Sequence, residues 1–131
     1  MNVLRVWFVA AEVARHGGIS ICALISPYED ARNRVRAMFP ADGFLLVHVA
    51  RPIAVCERRD VKGLYAKART GQLQGFTGID DPYEPPASAD LVLTTLDCAA
   101  EECAARIERL MEARGVLAPR ERDAARLLAS S

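Results

Sequence analysis

The chain has 131 residues, 51% of them hydrophobic and 26% charged, which is enough for one domain and too few for two. Seventeen basic and seventeen acidic residues cancel, so no global field draws in nucleic acid or an anionic membrane, and any phosphate recognition must be local. The longest apolar runs are far too short to span a bilayer, and the apolar start carries Arg5, Glu12 and Arg15 and lacks a signal-peptide cleavage pattern.

Cys22, Cys56, Cys98 and Cys103 contain no Cys-x-x-Cys pair, and their spacing suits neither zinc nor a disulfide framework. They read as packing residues in a reduced, cytoplasmic chain, with Cys22 and Cys56 as buried small hydrophobes. Fifteen of the basic residues are Arg, and the only two lysines, Lys62 and Lys67, fall within KGLYAKAR. That clustering directs attention to 57–86.

In chain order, 2–16 has helical spacing, with Val3, Val6, Trp7, Ala10, Val13 and Ala14 as the expected buried stripe and Gly17–Gly18 as its stop. His16 in the last turn suits the negative end of the helix dipole. ISICALI (19–25) reads as a strand covered on both faces, hence parallel. Residues 29–39 return to helical spacing, with Ala31, Val35, Met38 and Phe39 inward and Arg32, Arg34 and Arg36 outward. After the turn at 40–43, FLLVHVA (44–50) reads as a second buried strand, with His48 as a hydrogen-bonded core residue. Pro52 opens a helix through IAVCERR, and LYAKART (64–70) fits a short one that ends at Gly71. Residues 71–90 are loop-like, LVLTT (91–95) is a third strand, and 99–114 a closing amphipathic helix with Gly115 as its stop. Alternating helices and buried strands predict an α/β fold with a parallel sheet, although three strands make a thin one.

The segment 56–86 does not look like core. It mixes arginines, both lysines, aromatics and several glycines. A solvated loop has no need of Leu64, Tyr65, Phe76, Ile79 and Tyr83, and a core element would not hold so many charges. A flap closing on a flat, charged ligand accounts for both, with aromatic rings against a base and Lys or Arg against phosphate or sulfate. A long surface loop with a small satellite core is the alternative.

CERRDVKGLYAKAR followed by GFTGIDDPYEPP resembles the adenylylsulfate (APS) kinases. LISPYEDAR (24–32) is similar to their strand and Ser-Pro-Tyr loop, and NVLRV (2–6) to their Asn-Ile-Arg-Arg segment. The resemblance spans nearly all of 2–115. It implies transfer of the γ-phosphoryl of ATP to the 3′-hydroxyl of APS, giving PAPS in sulfate assimilation, with ATP and Mg as cofactors. It implies an APS site formed by Asn2, Ile25, Ser26, Lys62, Leu64, Gly75 and Phe76, with Phe76 stacked on the adenine. Gly63 joins Lys62 and Leu64 in a lid over 60–86, to which Lys67 and Arg69 also belong. Arg59 and Cys98 would lie near the ATP adenine. Ser26 matches a serine that some members carry as a phosphoenzyme, and a turn hydroxyl before proline is its alternative role.

The departures bear on mechanism. Members hold the ATP phosphates and Mg with a Gly-x-Ser-Gly-x-Gly-Lys-Ser-Thr loop between a strand and a helix. These 131 residues contain no Gly-x-x-x-x-Gly-Lys-Ser/Thr. The acidic residue expected to activate the 3′-hydroxyl is also missing from them. Leu4 replaces an arginine, and Trp7 stands where a small residue is usual. Each lost electrostatic contact is worth ~3 kcal/mol or more, so little kinase activity is expected of this polypeptide alone.

The resemblance thus predicts an incomplete three-layer α/β fold, a P-loop-kinase-like parallel sheet with flanking helices whose first strand and P-loop are missing. The kinase-like part is 1–115, and 116–131 is a tail with a weak helix. The absent strand would fall between 19–25 and 44–50, leaving a marginal or self-associating chain. Expected partners are APS and ATP, and beyond them a P-loop-bearing chain, an ATP sulfurylase or a second copy. No nucleic acid or membrane is expected. The alternative function is a non-catalytic module that binds APS or adenine nucleotide.

Overall fold

The structure is a computed structural model that describes residues 2–96 and 98–118, with the side chains of Asn2 and Val3 outside the description. The elements run α1 (Asn2–Arg15), α2 (Glu29–Arg36), β1 (Val47–Ala50), α3 (Ile53–Arg59), α4 (Leu64–Arg69), β2 (Leu91–Thr94) and α5 (Ala100–Ala113). β1 and β2 pair in parallel, with Val47 opposite Leu91 and Ala50 opposite Thr94. The result is a small α/β fold with a two-stranded parallel sheet and flanking helices.

Local signals place most of the boundaries. α1 ends at Arg15, just before Gly17, whose φ of 78° is a left-handed value that glycine adopts cheaply. His16 follows, with Nδ1 2.8 Å from the Glu12 carbonyl oxygen, among the carbonyls that the last turn leaves free. Pro52 precedes α3 as its N-cap, and Gly115, at φ 69°, follows α5. The tail helix expected beyond 118 lies outside the described residues.

The run 19–25 forms no strand, contrary to its composition. Ile19, Ile21, Leu24 and Ile25 are exposed, Ile21 to 90%. A strand is completed by ladder hydrogen bonds to a neighbour, and no strand among the described residues pairs with this run. The second strand is also shorter than expected, since 44–46 lead into β1 rather than belong to it, and Val49 is 61% exposed.

The core among the described residues is small: Ala10, Ala11, Val35, Phe44, Ala68, Leu93 and Cys103. Phe44 joins the layers. Its ring lies 5.6 Å from that of Trp7 on α1 and 5.4 Å from that of Phe39 just past α2, and the Arg36 guanidinium sits over it at 5.0 Å. The α1 stripe is narrower than its periodicity predicts, since Val6 and Val13 remain exposed. Cys22 and Cys56 are half-buried rather than buried. His48 is half-buried, and its ring stacks on Tyr83 at 6.1 Å.

Arg32 corrects the reading of α2. Helical spacing puts it on the outward side, yet it is 5% exposed. Nη1 donates to the Ser26 carbonyl at 2.6 Å, Nη2 to the Glu84 carbonyl at 2.7 Å, and Nε to Glu29 Oε2 at 3.1 Å. A guanidinium can be buried when its donors are met in this way.

Candidate functional site

Two loop systems carry the residues singled out in the sequence. The first is the turn from α3 into α4. Asp60 ends α3, and its carboxylate accepts from the backbone N–H groups of Tyr65 and Ala66 at 3.1 and 3.0 Å. Those donors have no partner within the first turn of a helix. The Ala66 amide, helped by those of Tyr65 and Leu64, holds the Asp60 carboxyl below its ordinary pKa against the opposing effect of burial.

This turn borders an open cleft of about 350 Å³ lined by Arg51, Cys56, Arg59, Asp60, Val61, Lys62, Leu64 and Tyr65. Arg59, expected at the ATP adenine, and Lys62 and Leu64, expected at the APS site, line this one cleft. Arg59 and Lys62 are exposed, and Leu64 is the first residue of α4. Arg51 and Tyr65 line the same cleft without having been assigned to a site. Arg51 is positioned by a 2.9 Å hydrogen bond from Nε to Thr95 Oγ1, at the end of β2. Lys67 and Arg69 lie farther along α4, and Arg69 pairs with Glu57 at 2.6 Å.

The second system is the loop at 75–84. Asp80 accepts from the N–H groups of Gly75 and Phe76 at 2.7 and 2.6 Å, and these amides hold its carboxyl below the ordinary range. Gly75 sits at φ 67°, where a side chain would be strained. The turn presents the Phe76 ring edge-to-face to Tyr65, at 4.9 Å and 73°. Tyr65 thus joins the cleft to the Gly75–Phe76 turn.

The loop at 25–28 is tied to the same region. Tyr28 donates its hydroxyl to Asp81 Oδ1 at 2.7 Å, and that hydrogen bond is the main reason its pKa is raised. The Glu84 amide donates to the Pro27 carbonyl, and the Glu29 amide to Glu84 Oε2. Arg32 spans both segments through the Ser26 and Glu84 carbonyls. Ser26 has φ 41°, unusual for a residue other than glycine, and its Oγ is buried with no hydrogen-bond partner. Ile25 beside it is 68% exposed.

Two predicted residues fall elsewhere. Asn2 opens α1, and its side chain lies outside the described residues. Cys98 does not line the cleft with Arg59; its sulfur lies 2.9 Å from that of Cys103 on α5. Arg32 and Asp80 were absent from the predicted set. The Asp80 role had a local signal, an aspartate placed shortly after a Gly-Phe pair, where it can cap a turn. Arg32 had none, because its acceptors include a carbonyl 52 positions away.

Cations beside paired aromatic rings suit a flat anionic ligand. Among the described residues no group of three or more His, Cys, Asp or Glu side chains could hold a metal ion. No helix among them is long and apolar enough to cross a membrane.

A family model described as adenylylsulphate kinase matches residues 1–94. An adenylyl-sulfate kinase of Synechococcus sp. (strain JA-2-3B'a(2-13)) is 47% identical over 114 residues, which cover 87% of this chain and 64% of that protein. A sulfate adenylyltransferase of Gibberella zeae is 44% identical over 118 residues, 89% of this chain and 21% of that protein. The structure of the Mycobacterium tuberculosis APS kinase in complex with AMPPNP and APS superposes with a TM-score of 0.78 at 41% identity, covering 85% of this chain and 65% of that one. The chain therefore spans less than two thirds of the kinases it matches, and within that span sequence and fold agree: it belongs to the adenylylsulphate kinase family.

Proposed function

We propose that these residues form the substrate-side portion of an APS kinase, which transfers the γ-phosphoryl of ATP to the 3′-hydroxyl of APS to give PAPS. The observation that carries this reading is the cleft in which Arg51, Arg59 and Lys62 stand beside the Tyr65–Phe76 ring pair. Phe76 offers a face for adenine, and Lys62 meets phosphate or sulfate oxygens. Gly75 lets the backbone approach the ligand, and Leu64 belongs with Lys62 to the lid at 60–86. Ile25, Ser26 and Asn2 complete the APS side. ATP, when bound, supplies the phosphoryl group, and Arg59 is the residue here that fits its adenine end.

Ser26 acts in this reading as a positioning residue. Its buried hydroxyl is unpartnered, so a phosphoryl group could reach it only if the loop opened. The phosphate cradle and the Mg ligands come from residues outside these 131, in the same polypeptide or in another. They would bring the first strand of a three-layer P-loop-kinase-like sheet, seated between 19–25 and β1. The exposed Ile21, Ile25 and Val49 support that arrangement. The match to a sulfate adenylyltransferase supports an ATP sulfurylase as a further partner.

The test is calorimetry with APS on the 131-residue chain, folded by circular dichroism. Stacking on one base is worth ~1–3 kcal/mol, so Phe76→Ala should weaken APS binding about tenfold or more. Binding that ignores Phe76→Ala and Lys62→Ala would overturn the assignment. Adding a separately expressed P-loop segment tests catalysis. PAPS formation on mixing supports a kinase, and APS binding without turnover on mixing favours a non-catalytic nucleotide-binding module.

A further inference from the structure

Cys98 and Cys103 occupy a pair of positions with a known mechanical role. Ala99 is the N-cap of α5, so Cys98 is the residue before the cap and Cys103 the fourth residue of the helix. Apolar side chains at these two positions commonly pack together and fix the angle at which the chain enters a helix. Here both positions carry thiols. Their sulfurs are 2.9 Å apart, and both cysteines are free. An approach of about 0.9 Å would bring them to the disulfide bond length near 2.05 Å. Cys98 is half-buried and reachable from solvent, whereas Cys103 is buried.

We propose that Cys98 and Cys103 are a site of reversible covalent modification, closed to an intramolecular disulfide by low-molecular-weight disulfides such as oxidised glutathione. The exposed partner reacts first: the Cys98 thiolate attacks one sulfur of the small disulfide, and one small thiol leaves. Cys103 then gives up its proton and attacks Cys98 Sγ, the mixed disulfide breaks, and the second small thiol leaves. Two protein thiols are oxidised and one small disulfide is reduced to two thiols. The hydrogen bond with Cys103, burial and the adjacent Glu102 push the Cys98 thiol up to about 11. The pair is therefore held as thiols, and exchange at neutral pH is slow. The closed form converts a packing contact at the start of α5 into a covalent staple between the β2–α5 connection and the first turns of α5. This inference stands on the thiol pair alone and does not depend on the substrate reading above.

The experiment treats the folded chain with oxidised glutathione and measures intact mass, followed by cleavage after glutamate, since Glu101 and Glu102 lie between the two cysteines. The expected result is a mass loss of two hydrogens, a linked peptide pair joining Cys98 to Cys103, retention of the Cys22 and Cys56 thiols, and reversal by dithiothreitol. Cys98→Ser should abolish the mass loss, but the mapping of the unsubstituted chain decides the matter even if that variant folds poorly. A stable glutathione adduct on Cys98 with Cys103 still reduced would overturn the proposal. So would a cross-link to Cys22 or Cys56, or four unreacted thiols in the folded chain under conditions that oxidise the urea-unfolded one.

Discussion

Replacing Arg32 with alanine should cost more stability than any other change to a charged residue of α2. The side chain is 5% exposed and donates to two backbone carbonyls, those of Ser26 and Glu84, that belong to different loops. Hydrogen bonds from charged donors contribute roughly 1.5–3 kcal/mol each, and carbonyls left without a partner add a desolvation cost. Glu29 is only half-buried and regains water when its partner goes, so the ion pair adds little. The loss should therefore be about 3–4 kcal/mol. With a urea dependence near ~1.5 kcal/mol per molar, the unfolding midpoint should fall by roughly 2 M. Arg34→Ala, at an exposed site two residues away, should stay within ~0.5 kcal/mol. Arg32→Lys should fall between the two, because an ammonium cannot reproduce the planar fork. Urea titrations followed by circular dichroism read all three. Equal midpoints for Arg32→Ala and Arg34→Ala would refute the reasoning.

Leu93→Ala, at a residue 1% exposed in β2, should destabilise the chain by about 3 kcal/mol, whereas Val61→Ala at 94% exposure should stay within ~0.5 kcal/mol in the same titration. Burial raises the pKa of Asp90, but the Leu46 amide and the charges of Arg36 and Arg114 outweigh it and hold the carboxyl below its ordinary value. Its folded pKa lies below the unfolded one, so its contribution is full above about pH 4 and is lost as pH falls through the folded pKa. Thermal melts of the chain and of Asp90→Asn should converge at acid pH, and a gap that stays constant would count against this. The exposed Phe8, Val9, Ile21, Ile25 and Val49 should drive concentration-dependent association, and sedimentation that shows a monomer at every concentration would contradict it.

The sequence by itself determined the helices, most of their ends and the family, although the helix read over 29–39 stops at Arg36. Gly17, Pro52 and Gly115 act within a turn of their own position, and helical periodicity is a property of adjacent residues, so α1, α3 and α5 were legible. The motif residues Arg59, Lys62 and Leu64 were singled out individually in the sequence, and the local turn from α3 into α4 gathers them on one cleft. What only the tertiary structure decided depends on partners distant in the chain. Residues 19–25 have the composition of a strand but no neighbouring strand among the described residues to pair with, so composition alone could not make them one. Arg32 lies on the outward side of α2 by periodicity, but acceptors six and 52 positions away make its burial tolerable. The orphaned Ser26 hydroxyl and the Tyr65–Phe76 contact likewise exist only once separate loops meet. Periodicity records which side of an element a residue faces, and only the packed chain decides what stands opposite.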